Sequence, residues 1–324
     1  MMPDKAIMPA DELPIAPGPH IWRGLSVKKV MYFVLGALIP PMAASIVFFG
    51  LRAFLVIMTS LVFSVGTEWV AKKLRGKPFV MDGSALVTGL LLALTLPPTM
   101  DLWMVAVGAI FAIGIVKEAF GGLGHNIFNP ALGARAFLTA SFGIQMTTWI
   151  MASSADAITA ATPLSNSFVW SSRYAAKMAL YWDMFLGNRA GAIGETSALA
   201  ILIGAVVLIA FDIIDWRIPV SYALTTIAIM AAFGEDPLIQ LMAGGLLFGS
   251  VYMATDYVTS PITHTGRVIF GIGCGLITAI IRQFGGLPEG VCYSILVMNA
   301  AAPLIDRYVK PRPYGLKKAV KNAA

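Results

Sequence analysis

The residues that could do chemistry fall in three places. The first is a hydroxyl-bearing run, Asp156-Ala157-Ile158-Thr159-Ala160-Ala161-Thr162-Pro163-Leu164, inside the polar stretch 152–196. Small side chains around Thr162 leave its oxygen open to a bulky donor, which suits enzymatic modification; the same residues also suit a plain turn or a helix cap. The second is a pair of acids beside apolar runs, Asp82 just before 84–96 and Asp256 at the end of 237–255. An ionisable side chain at membrane depth is costly and points to an ion path or a proton relay. Asp256 reads as an ion-path residue, and Asp82 as an ion-path residue or an interfacial helix cap. The third is Lys117-Glu118-Ala119-Phe120-Gly121-Gly122-Leu123-Gly124-His125-Asn126, followed by Asn129-Pro130 and Arg135. Lys117 and Glu118 read as an interfacial ion pair, His125 as a residue that orders the glycine turn, and Arg135 as a charge that needs an anionic partner. Cys274 and Cys292 have no ligand spacing, and no G-x-G-x-x-G run is present, so neither an iron–sulfur cluster nor a dinucleotide has a signature here.

The elements that must position these residues are apolar. Of the 324 residues, 58% are hydrophobic and 12% charged, with a mean hydropathy of +0.78. That excludes an ordinary soluble domain, a disordered chain and, despite the net charge of +6, a nucleic-acid binder. Residues 1–30, 66–83, 152–196 and 306–324 hold 26 of the 40 charged side chains, and the other 212 residues share 14. Apolar runs at 31–49, 51–71, 102–119, 131–151, 197–214, 218–234, 237–255, 268–283 and 289–306 predict membrane helices, with a shorter one at 84–96 that stops at Pro97-Pro98. Broken or short helices leave backbone groups inside the membrane where ions or polar ligands sit.

An internal repeat appears at an offset of 164 residues. It carries Phe120-Gly-Gly-Leu123 onto Phe284-Gly-Gly-Leu287, Pro97 onto Pro261 and Thr95 onto Thr259, and the hydrophobic runs coincide. The expected fold is an all-α integral membrane protein of about ten helices in two inverted five-helix repeats. Its parts are a tail 1–30, a first repeat 31–151, a loop 152–196, a second repeat 197–306 and a basic tail 307–324. The five prolines of 1–30 do not resemble a cleaved signal peptide, so that segment is expected to be retained. Lys/Arg counts put both tails on the cytoplasmic side whether there are ten spans, or eight with 84–96 and 237–255 re-entrant. They leave open the side of 152–196; the 19-residue length of 237–255 favours ten.

Three blocks, Leu94-Thr-Leu-Pro-Pro-Thr99, Lys117-Glu-Ala-Phe-Gly-Gly-Leu-Gly-His-Asn126 and Phe128-Asn-Pro-Ala-Leu132 with Arg135-Ala-Phe137, stand in an order and spacing that carry a resemblance. Over residues 25–310 the chain resembles the family that unites the RnfD component of the Rnf electron-transport complex with the NqrB component of the sodium-translocating NADH:quinone oxidoreductase. The resemblance implies FMN joined by a phosphoester to the last threonine of an Asp-x-x-(Ser/Thr)-Gly-Ala-Thr motif. On this sequence that is Thr162, with Asp156, Thr159 and Ala161 completing the motif. Ala160 stands where the family usually has glycine, and Tyr257, after Asp256, where it usually has proline.

The resemblance also implies an extracytoplasmic loop 152–196, a bacterial or archaeal cytoplasmic membrane, a flavin transferase for maturation and the A, B, C, E and G components of an Rnf complex as partners. It implies electron transfer between ferredoxin and NAD coupled to movement of Na+ or H+, and leaves room for a second, non-covalent flavin such as riboflavin. With the loop outside and Arg135 near the inner surface, Arg135 could not reach a phosphate on Thr162; its role is then structural or toward that second flavin. Two readings from other classes stand beside this one. A flavin-free secondary transporter or channel would need only the repeat and broken helices, and a membrane anchor for a flavoprotein would need neither.

Overall fold

Residues 26–151, 177–285 and 290–310 are described by the computed structural model, and every regular element among them is helical. Thr162, Asp156, Thr159 and Ala161 lie outside the described residues. Helix α1 (Val27–Ala37) starts where the Ser26 side chain accepts from the Lys29 amide, and runs through Leu38 into α2 (Ile39–Leu74). A straight helix of 36 residues would be about 54 Å long, well beyond a hydrocarbon core of about 30 Å. Gly50 resolves the conflict: at φ 62° and ψ −144° it breaks α2 between the two apolar runs. Met31 packs against Gly83 while Glu68 is linked through Lys117 to Ser84. Residues near 31 and near 68 therefore lie at one end, and the chain reverses at Gly50.

Helix α3 (Ser84–Leu94) is short and almost wholly buried. Helix α4 (Leu102–Ile110) widens into a π-helical segment, Phe111–Glu118. Helix α5 (Pro130–Ser141) is capped by the Asn129 side chain, with Pro130 at its first position. The single span expected over 131–151 stops at Phe142, whose backbone leaves the helical region, before a five-residue helix α6 (Gly143–Thr147). After α7 (Lys177–Leu186) come α8 (Ala198–Ala210), α9 (Arg217–Ala232), α10 (Pro237–Met242) and α11 (Leu246–Phe248), the last continuing as a π-helical segment Gly249–Met253. Helices α12 (His264–Phe284) and α13 (Val291–Tyr308) complete the described chain.

The expected continuous helix over 237–255 is corrected by the structure. Ala243 is extended, and Gly244 and Gly245 take φ of 61° and 68°, which ends α10 and starts α11 in a new direction. Arg282 of α12 donates to the Gln240, Ala243 and Gly244 carbonyls freed by the break. A Cβ on Gly245 would fall 2.5 Å from Glu195 Oε1, so only glycine lets that carboxylate approach.

Among the described residues, two helical stretches are long and apolar enough to cross a membrane, Val27–Leu74, which bends back at Gly50, and His264–Phe284. Apolar side chains such as Val47, Leu51, Val62, Val206 and Leu224 are exposed along the helices, the outward face that lipid rather than water would cover. One buried core joins α1 to α5 with α8 to α13, so the two halves share an interior.

Candidate functional site

The two short helices α3 and α11 run between two polar clusters. At one end, the loop before α8 closes on both of them. Ile193 and Gly194 donate to the Leu96 and Leu94 carbonyls at 3.0 and 2.7 Å, satisfying groups that the end of α3 leaves unpaired. Glu195 packs on Gly245 at the start of α11 and accepts from Arg135 Nη1 at 2.8 Å. Arg189 holds the same loop through the carbonyls of Glu195 and Thr196. Arg135 therefore lies beside the described end of the 152–196 loop. Among the described residues the space beside the Arg135–Glu195 pair is about 10 Å³.

At the other end a cavity of about 90 Å³ is lined by Ser84, Thr88, Lys117, Asn126, Asn129 and Asp256, with apolar walls between them. That volume holds about three waters and is far below the roughly 300 Å³ of a small cofactor pocket. Its polar wall is built from three breaks in helical structure. Asn129, the cap of α5, also donates its Nδ2 to Met253 O at 3.2 Å, tying the start of α5 to the end of the α11 segment. Asn126 Nδ2 donates to Phe128 O at 3.1 Å and shapes the turn before it. Asp256 follows α11 and is half-buried; its Oδ2 accepts from Thr259 Oγ1 at 3.2 Å and its Oδ1 from Val258 N at 3.5 Å. Tyr257 donates to the Ile213 carbonyl and anchors this segment to the α8–α9 loop.

Lys117 is 2% exposed and belongs to the π-helical segment. Its Nζ donates to Glu68 Oε1 at 2.8 Å and Ser84 Oγ at 2.6 Å. Ser84 Oγ in turn donates to Asp82 Oδ1 at 2.6 Å, and Ser84 N to the same oxygen at 2.9 Å. Asp82 thus accepts from the first residue of α3 and joins the cluster through Ser84 without lining the cavity. Burial opposes its charge, but the Ser84 bonds and the Lys117 and Lys72 ammonium groups hold its carboxyl below the usual range.

The expected Lys117–Glu118 pair does not form. Adjacent helical side chains point apart, and each finds its partner on α2 or just past its end: Lys117 takes Glu68, and Glu118 Oε2 takes Arg75 Nη1 at 3.2 Å. Glu68 and Ser84 are not among the sequence candidates, and Asn129 is among them only beside Pro130, ahead of Arg135. Glu68 carried the clearest signal, an acid within the apolar run 51–71. No group of three or more metal-ligating side chains occurs among the described residues.

The chain matches, over residues 15–315, the model of a family described as NQR2, RnfD, RnfE. It is 46% identical over 314 residues to the D component of the Na+-translocating ferredoxin:NAD+ oxidoreductase complex of Acetobacterium woodii, covering 96% of this chain and 98% of that one. It is 44% identical over 319 residues to the D component of the proton-translocating ferredoxin:NAD+ oxidoreductase complex of Clostridium ljungdahlii, covering 94% and 96%. With the D component of the ion-translocating oxidoreductase complex of Methanosarcina acetivorans it shares 37% over 303 residues, covering 93% and 96%. A helical chain with apolar outer faces, short helices meeting at buried charges and matches of this extent is a member of the NQR2, RnfD, RnfE family.

Proposed function

We propose that this chain is the RnfD component of an Rnf-type ferredoxin:NAD oxidoreductase complex, that Thr162 carries FMN as a phosphoester, and that the Asp256 cavity lies on the path of the translocated cation. The observation that carries the ion-path reading is a half-buried carboxylate at the end of a broken helix, beside a water-sized cavity, with no ion-pair partner among the described residues. The relatives' names support the complex, and the Asp156–Thr162 motif supports the flavin. Bound on Thr162, FMN would supply single-electron transfer; the phosphoester would retain it through every turnover.

The arrangement proposed is ten membrane segments in two inverted halves of five. Its support is that the elements recur: 27–49, 51–74, α3, α4 with its π segment and α5 correspond in order to α8, α9, α11 with its π segment, α12 and α13. In this arrangement the end of 152–196 faces outward and the Asp256 cavity opens from the inner half. Asp256 supplies the anionic ligand, and the Thr88 hydroxyl in the same wall supplies a neutral oxygen, to a monovalent cation or its waters. Relatives of nearly equal identity move Na+ in one case and protons in the other, so overall identity does not choose the ion.

Two experiments test this. Denatured protein from cells containing the flavin transferase should fluoresce on a gel, and the band should vanish in Thr162→Ala. A dark wild-type band would overturn the flavin and leave an ion-conducting component without a cofactor of its own. Asp256→Asn in the assembled complex should lower ions moved per electron while electron transfer persists; unchanged coupling would remove Asp256 from the path.

A further inference from the structure

The geometry points to Lys117 as a tethered cation that competes with the translocated ion for the Asp256 cavity, and to Glu68 as the residue that holds it away. The inference rests on Asp256 being an ion-path residue, the reading proposed above. Lys117 and Asp256 line one cavity of about 90 Å³, so an ammonium turned toward Asp256 would take the place of a cation beside that carboxylate. Lys117 is turned instead to Glu68 Oε1 at 2.8 Å and Ser84 Oγ at 2.6 Å, which use two of its three hydrogens. Asp256 has hydrogen bonds from neutral donors but no ion-pair partner among the described residues.

A lysine stem is flexible over four carbons, so the position of its charge is set by its partners rather than by its backbone. Glu68 holds the ammonium, and Asp256, in the wall of the same cavity, is left to another cation. The other ionisable groups facing the cluster are Lys72, 3.5 Å from the same Glu68 oxygen, Asp82 through Ser84, and the Tyr252 and Tyr257 hydroxyls in the cavity wall. The Tyr252 hydroxyl is committed to the carbonyls of Ala37 and Ile201, and that of Tyr257 to Ile213. None of these except Glu68 pairs directly with the Lys117 charge. Glu68 is thus a positioning residue: it does not touch the translocated ion but sets how strongly the cavity takes one.

The test uses the whole complex, purified and reconstituted in liposomes with reduced ferredoxin and NAD+. The reading is the NaCl concentration that gives half-maximal rate at fixed pH and, where NaCl has no effect, the pH that does. Glu68→Gln releases Lys117 toward Asp256, so half-saturation should need about tenfold more Na+, or a pH lower by about one unit. The double variant Glu68→Gln/Lys117→Met removes both charges and should return to the wild-type dependence, which a loss of packing at Glu68 would not do. Should Glu68→Gln fail to assemble, Glu68→Asp should give a smaller shift in the same direction, again cancelled by Lys117→Met. An assembled Glu68 variant with wild-type cation dependence, or a double variant as shifted as the single, overturns the role of Lys117. If Asp256→Asn uncouples transport while the Glu68 variants shift nothing, only this inference fails. If Asp256→Asn leaves coupling intact, the ion-path reading fails with it.

Discussion

Replacing Lys117 by alanine would leave Glu68 with Lys72, 3.5 Å away, as its cationic partner among the described residues. Removing one side of a buried ion pair costs about 3–5 kcal/mol, so Lys117→Ala should lower the thermal midpoint of the detergent-solubilised protein well below that of a surface Lys→Ala variant such as Lys73→Ala. A different residue-scale prediction concerns Asp215, in the loop between α8 and α9. It accepts from Arg267 at 2.7 Å and Arg217 at 3.1 Å, and lies 3.2 Å from His264 Nδ1. Burial raises its carboxyl, but the Arg217 backbone and the Arg267, Arg217 and His264 side chains outweigh that and bring it down to about 2. A carboxylate depressed in the folded state stabilises fully above its unfolded value of about 3.9. The difference in midpoint between wild type and Asp215→Asn should therefore be flat above about pH 4 and shrink as pH falls through about 2. Asp256 and Asp82 are visible because they flank apolar runs, and Glu68, inside one, is visible as an acid but its partner is not. No spacing rule links Glu68 to Lys117, 49 positions away, or Arg135 to Glu195.

At the scale of elements, hydropathy located most helical segments but not their breaks. The run 237–255 has the length and apolarity of one span, and its division depends on two adjacent glycines in left-handed conformations and on Arg282, a residue of another helix. Neither is a hydropathy signal. The break at Gly50, in contrast, falls between two runs that the sequence already separates. Gly245→Ala should cost stability twice: about 1–2 kcal/mol for a left-handed alanine, and more for pushing Glu195 from Arg135. Because both effects meet at one contact, Gly245→Ala and Glu195→Gln should combine to less than the sum of their separate losses. Additive losses in thermal unfolding would show that Gly245 and Glu195 act independently.

At the scale of the molecule, the 164-residue offset is legible in matched glycines and prolines, although Gly121 takes φ 126° and its counterpart Gly285 φ −83°. The site was less so, since the two halves are not equivalent. The π-helical stretch of the first half carries Lys117 near the end of α4, whereas that of the second half follows α11. The inverted ten-segment arrangement predicts opposite labelling of two exposed positions. A cysteine at Ile144 should react with a membrane-impermeant maleimide in intact cells, and one at Lys310 only after permeabilisation. Cys274 and Cys292 are buried, which keeps the background low. Labelling of both from one side would contradict the inversion.

The short helix α3 is fastened at both ends. Its last carbonyls are held by Ile193 and Gly194, at the close of the 152–196 loop, and its first residue, Ser84, is held by Lys117. Eleven helical residues form a rod of about 16 Å, stiff because each turn is bonded to the next. Joined also to α2 at mid-length through Ser60 and the Gly89 carbonyl, α3 is a rigid link between the loop and the seat of the Lys117 ammonium.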